Sequence, residues 1–108
     1  MKEVKGIVTK ADGKAIRVIG LDDTVEDGLI KLGFVFDSEY KEYLLKVESD
    51  TEKAQLFDKL RGLNIGCSGG KEWCPSEVFE YLREKSLING SFIKISWYAP
   101  EKYRSTVQ

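Results

Sequence analysis

Ile7-Val8-Thr9-Lys10-Ala11-Asp12-Gly13-Lys14-Ala15-Ile16-Arg17-Val18-Ile19 decides the fold class. Two runs of β-branched residues flank an Asp-Gly pair. A two-residue type I′ turn favours that pair because both of its central positions need positive φ. The reading predicts strands over about 4–10 and 14–20, with Thr9 opposite Ile16, Val8 opposite Arg17 and Ile7 opposite Val18. One face then carries Ile7, Ile16 and Val18, and the other mixes Val4, Val8, Arg17 and Ile19.

Outward from this hairpin the pattern changes period. Thr24 and Asp27 have capping-box spacing, and Val25, Leu29 and Leu32 recur on one helical stripe that Gly33 is placed to end. Gly28 inside that helix costs about 1 kcal/mol against Ala. A second hairpin follows, with Phe34-Val35-Phe36 as one arm and Glu42 to Glu48 as the other, turning over Asp37 to Tyr40. Ser49-Asp50-Thr51-Glu52 is a capping box that opens a helix carrying Leu56, Phe57, Leu60 and Leu63, with Gly62 as its stop. Residues 64–74 read as a glycine-dense loop. Pro75 then starts a helix that buries Val78, Phe79 and Leu82 and runs to about Lys85. Ile93, Ile95 and Trp97 alternate with Lys94, Ser96 and Tyr98 in a last strand that Pro100 stops.

The expected fold is α+β, in the order β-β-α-β-β-α-α-β. An antiparallel or mixed sheet, built from two hairpins and a C-terminal strand, packs against two to three helices. Residues 1–100 form one domain, and 101–108 are expected to be a polar, frayed tail. The chain is 108 residues long, enough to bury a core without a disulfide or metal staple.

Leu32-Gly33-Phe34, then Phe36-Asp37, then Lys41-Glu42-Tyr43 resembles a pattern in small domains of mobile-element and DNA-processing proteins: helix, Leu-Gly-aromatic, strand, turn, Lys-x-aromatic. It spans roughly a fifth of the chain. Such domains often carry Trp where this chain has Tyr43. The resemblance implies a nucleic-acid accessory role.

Composition narrows the chemistry. The 17 basic and 18 acidic residues give a net charge of −1, without the positive excess usual for binding nucleic acid through the overall field. There is no histidine, which removes Ser-His-Asp triads, Cys-His dyads and imidazole acid–base work. Two thiolates with carboxylates are a poor set for zinc, so no metal and no cofactor is expected. Met1-Lys2-Glu3-Val4-Lys5 has no apolar signal region and no run is long enough to cross a membrane, so a soluble, cytoplasmic chain is expected.

Five residues are candidates for a site: Cys67, Lys71, Trp73, Cys74 and Tyr98. Cys74 precedes Pro75, where a helix dipole would favour a thiolate, and Cys67 lies within reach as a resolving thiol. Against this, Glu72 and Glu77 flank the site, the spacing is not C-x-x-C, and reduced cysteines commonly serve as small packing residues. Gly66, Gly69, Gly70 and Lys71 have the composition of an anion-binding loop, although Glu72 after Lys71 breaks the Walker spacing. Trp73 reads as a packing residue before its helix. Trp97 reads as core beside Ile93 and Ile95, and Tyr98, on the polar face with Lys94, as a platform for stacking. Asp22, Asp23, Glu26 and Asp27 suit a helix's first turn and carry no separate chemistry.

The balance of these readings is a non-enzymatic binding or interaction domain whose partner is another protein or a second copy of itself. A nucleic-acid accessory protein and a thiol-dependent activity at Cys74 are the alternatives.

Overall fold

The computed structural model describes residues 4–69, 74–99 and 102–108. Among them are strands β1 (Gly6–Lys10), β2 (Ala15–Gly20), β3 (Val35–Asp37), β4 (Glu42–Lys46), β5 (Ile65–Ser68), β6 (Ile93–Ala99) and β7 (Lys102–Val107). Helices α1 (Asp23–Leu32), α2 (Asp50–Gly62) and α3 (Pro75–Glu84) lie between them in the chain. One mixed sheet runs in the order β3-β4-β2-β1-β5-β6-β7. β5 is parallel to β1 on one side and to β6 on the other, and the remaining neighbours are antiparallel. The α+β class and its mixed sheet are as expected.

Five local expectations are corrected. The first hairpin pairs Ile7 with Ile19 and Val8 with Val18, one residue out from the expected register, and past a bulge between Val8 and Lys10 it pairs Lys10 with Arg17, two residues out. Neither Asp12 nor Gly13 takes positive φ, so the type I′ turn does not form. Its place is taken by a wider loop whose Ala11 and Gly13 carbonyls both accept from Lys53 Nζ, at 2.7 and 2.9 Å. A one-residue slip exchanges the faces of a strand. Val8 accordingly joins Ile16 and Val18, and Ile7 moves to the opposite side.

Residues 65–68, read as loop, are the parallel strand β5. The run Ile-Gly-Cys-Ser is short and lacks alternation because its first three residues are all buried. Residues 102–107, read as frayed tail, pair with β6 along most of their length. The first helix is capped by Asp22, which accepts from the Thr24 amide at 2.7 Å, in place of the expected Thr24.

Other local signals act as read. Gly33 ends α1 at φ 106°, and the Phe34 amide donates back to the Leu29 carbonyl. Ser49 caps α2 by accepting from the Glu52 amide, while Glu52 accepts from the Glu48 amide. Gly28 has a packing reason, since a Cβ there would lie 3.0 Å from a Leu63 methyl.

The core sits on one face of the sheet. Val25 and Leu29 of α1, Leu56, Phe57 and Leu60 of α2, and Val78, Phe79 and Leu82 of α3 bury Val8, Ile16, Val18, Tyr43, Ile65 and Cys67. Phe79 is ringed by Phe57 and Phe92, with centroids 5.6 and 4.5 Å away. The opposite face holds a second, smaller cluster of Val4, Ile7 and Ile95, with Ile19, Ile93 and Tyr103 against it, and no helical residue belongs to it. Among the described residues, the three helices therefore lie on one side and leave the other side of the sheet open.

Candidate functional site

Two regions carry the expected site residues. The first is the end of β5 and the start of α3. Cys67 points into the helix-covered core, where burial, and secondarily the neighbouring Cys74, push its thiol up to about 12. It is neutral at physiological pH and shielded, which suits packing and not thiol exchange. Cys74 is half-buried at the N-cap of α3. Its sulfur makes no cap hydrogen bond and instead lies 3.2 Å from Ser76 Oγ.

Ser76 is buried, and the Lys94 side chain runs over Gly69 close by. A Cβ added at Gly69 would lie 2.6 Å from Lys94 Cε and 3.1 Å from Ser76 Oγ. Gly69, Cys74, Ser76 and Lys94 thus converge at the C-terminal end of a parallel strand, a place where open sheets containing parallel strands commonly bind ligands. Ser76 and Lys94 were not singled out from the sequence. Lys94 is brought there by the parallel pairing of β5 with β6, which aligns it with Cys67. Lys71 and Trp73 lie outside the described residues. Among the described residues, no group of three or more His, Cys, Asp or Glu is placed to hold a metal ion. No helix among them is long and apolar enough to cross a membrane.

The second region is the open face of the sheet. Strand alternation places Ile93, Ile95 and Trp97 of β6 on it, and the β6–β7 register sets Val107, Ser105 and Tyr103 beside them in turn. Ile95 lies across Gly66, where a Cβ would sit 2.9 Å from its Cγ1, and is fully buried. Toward the margin the burial fails. Trp97, expected in the core, shares the face of Ile93 and Ile95 but is 43% exposed. It meets Tyr103 edge-to-face at 5.5 Å between centroids. Val107 is 74% exposed.

The far half of the same face carries a polar network. Thr9 donates to Glu42 Oε2 at 2.8 Å, and Arg17 donates to Asp37 Oδ2 at 3.3 Å and lies 3.8 Å from Glu42 Oε1. The Arg17 guanidinium also stands 4.8 Å from the Tyr40 ring centre. These polar groups satisfy one another; Val35, which is exposed, shares their side of the sheet with Leu44 by register, and the aromatic part of the face is the β6–β7 end.

Tyr98 lies on the other side of β6 from Trp97. It is 64% exposed, with the Arg104 guanidinium 5.8 Å from its ring. Lys94, Arg104 and Thr106 share its side of the hairpin by register. Residues 92–108 contain Lys94, Lys102 and Arg104 against one acid, Glu101, within a chain of net charge −1. The five candidates are therefore not one site. Cys67 and Cys74 belong to the β5–α3 junction, and Tyr98 belongs to the β6–β7 hairpin.

No family model, no curated protein and no solved structure matches the chain.

Proposed function

We propose that this chain is a small protein-binding domain without chemistry of its own, and that it meets its partner through the open sheet face at β6–β7. The observation that carries this reading is the segregation of the fold. Among the described residues, three helices cover one face, while the other presents Ile93, Trp97, Tyr103 and Val107 with no element over them. Trp and Tyr on a rigid strand supply large contact area at small entropic cost, and such residues dominate binding hot spots. By register Lys94 and Arg104 lie on the opposite side of the hairpin, so the fitting partner is a protein that meets this face with an apolar surface of its own. Lack of histidine and the withdrawn Cys67 thiol support a role in contact over one in catalysis.

The test is affinity isolation from the native host with wild type, Trp97→Ser and Tyr98→Ser side by side. The reading expects a protein held by wild type and by Tyr98→Ser but lost with Trp97→Ser. Equal retention by all three chains removes the open face as the contact surface.

Exposure of Tyr98 beside Arg104 favours a second reading, in which the opposite side of the same hairpin stacks a base of single-stranded nucleic acid. Fluorescence anisotropy with a labelled single-stranded oligonucleotide decides it. Binding that weakens with salt and is lost with Tyr98→Ala supports this reading, and absence of binding at low salt removes it.

A further inference from the structure

We infer that β7 is the pairing edge for a second copy of this chain, and that two β7 strands join antiparallel about a two-fold axis at Ser105. This rests on the reading of the chain as a contact domain and names one contact it makes.

The sheet ends differently on its two sides. β3 at one edge has three residues, the short form that discourages further pairing. β7 at the other edge has six. Its free groups follow from the ladder with β6. The Gln108 amide donates to the Phe92 carbonyl, so this directly opposed pair is a hydrogen-bonded one. Antiparallel pairs alternate between bonded and non-bonded. Thr106 and Arg104 therefore turn their backbone groups toward β6, and Val107, Ser105 and Tyr103 turn theirs outward.

Symmetry restricts the registers. A two-fold axis normal to the sheet sets directly opposed residues on the same face, so the axis must pass through one residue. With the axis at Ser105, Ser105 bonds to its own counterpart and Tyr103 pairs with Val107 in both directions. All three outward residues of each strand are used, giving about six backbone hydrogen bonds, two per pair. Arg104 then faces Thr106.

With the axis at Arg104 the two guanidinium-bearing residues oppose each other in a non-bonded pair, the closest kind, with Cα atoms about 4.5 Å apart. With the axis at Tyr103, Arg104 faces Lys102 twice. With the axis at Thr106, Tyr103 falls opposite a position beyond the Val107 end of β7. Only the Ser105 register avoids opposed like charges and satisfies every outward group. It also continues the open face, because Trp97, Tyr103, then Val107 and Ile93 of the second copy fall in one row across the joined sheet.

The contact is a strand edge and falls below the size of a standard interface, so dimerisation is expected at on the order of 100 µM. Sedimentation equilibrium of the Cys74→Ser chain, up to about 1 mM, is expected to show a species near 25 kDa, twice the 12.3 kDa of the chain. Ser105→Pro removes an outward N–H without touching the ladder to β6, and is expected to weaken association at least about tenfold. Independently of any folding defect in that variant, Ser105→Cys in the Cys74→Ser chain is expected to cross-link to itself on mild oxidation. Its Cα atoms would lie about 5.5 Å apart, within disulfide reach. Arg104→Cys is expected not to cross-link, since its two copies would sit about 8 Å apart along the diagonal.

A chain monomeric at every concentration, or a dimer that Ser105→Cys does not capture, overturns the inference. Faster capture by Arg104→Cys overturns the register. A chain that stays monomeric but still loses its protein partner on Trp97→Ser overturns the dimer alone and leaves the proposed function standing.

Discussion

Replacing Lys53 with Met tests what holds the first hairpin out of its expected turn. The Lys53 ammonium donates to the Ala11 carbonyl at 2.7 Å and to the Gly13 carbonyl at 2.9 Å, from a side chain only 8% exposed. Each hydrogen bond to a charged group contributes about 1.5–3 kcal/mol. Two would give about 3–6 kcal/mol if burial were free. It is not, because burial draws the Lys53 pKa below its usual value, with the Asp50 and Asp12 charges offsetting only part of that. Removing the charge recovers this desolvation penalty but leaves two carbonyls without their donor. The expected net loss for Lys53→Met is about 2–3 kcal/mol, which for a domain of this size lowers Tm by roughly 10–20 °C. Urea unfolding followed by circular dichroism reads it as a lower midpoint at unchanged m. The same substitution should release the loop, so the amides of residues 11–14 should exchange faster while those of β2 and β4 keep their protection. A midpoint within about 0.5 kcal/mol of wild type would refute the reasoning. The wide loop would then be a property of the bulge, not of the buried ammonium.

Two further outcomes follow from burial on the two faces of the sheet. Cys67 has its thiol pushed up to about 12 from an unfolded value of 9.0, so between those values the unfolded chain binds fewer protons than the native one. Its contribution is full below pH 9 and falls by about 1.4 kcal/mol per unit above it. In Cys67→Ala the alkaline decline of stability should be shallower than in wild type, and equal slopes between pH 9 and 11 would contradict the assignment. At pH 7, native-state alkylation should modify Cys74 and leave Cys67 untouched, as read by mass spectrometry. Gly66→Ala would set a Cβ 2.9 Å from Ile95 Cγ1 and 3.2 Å from the Ile93 carbonyl. It should destabilise by about 1–3 kcal/mol through overpacking, and a neutral result in thermal unfolding would mean that β6 yields there.

What the sequence disclosed, and what it hid, follows from the range of the interactions concerned. Helices α1, α2 and α3 were readable because their stripes and caps are local. Val25 and Leu29, the Ser49–Glu52 box and Pro75 all act within a few residues. The hairpin register was misread because its determinant, Lys53, lies 42 positions from Ala11 in the chain. β5 was missed because a strand paired in parallel on both sides shows no alternation, and its Gly66 looked like loop chemistry when it serves to admit Ile95. β7 was missed for the reverse reason. Lys102, Arg104 and Thr106 alternate with Tyr103, Ser105 and Val107, but with only one neighbouring strand they bury little, and composition alone made them look like a tail. The Thr9–Glu42 bond and the Arg17–Asp37 pair join strands from two different hairpins, and no local spacing signals such a meeting.

The same two missed strands decide what the chain presents to others. Without β5, the first hairpin and the last strand would be unconnected, and nothing would place Lys94 beside Ser76 or bury Ile95 against Ile7. Without β7, β6 would be the edge and Trp97 would have no ring to meet at 5.5 Å. Adding β7 turns a lone amphipathic strand into a two-strand platform with aromatics on both sides: Trp97 and Tyr103 on one, Tyr98 on the other. A platform of this kind sits poorly with a purely structural role, because six-residue edge strands with exposed Val and Trp nearby are an aggregation hazard unless something covers them. Lys102 and Arg104 limit unspecific pairing by charge, yet a register at Ser105 escapes that protection. An edge guarded against most partners and open to one arrangement is what selective association requires, and the proposed pairing of two β7 strands rests on that asymmetry.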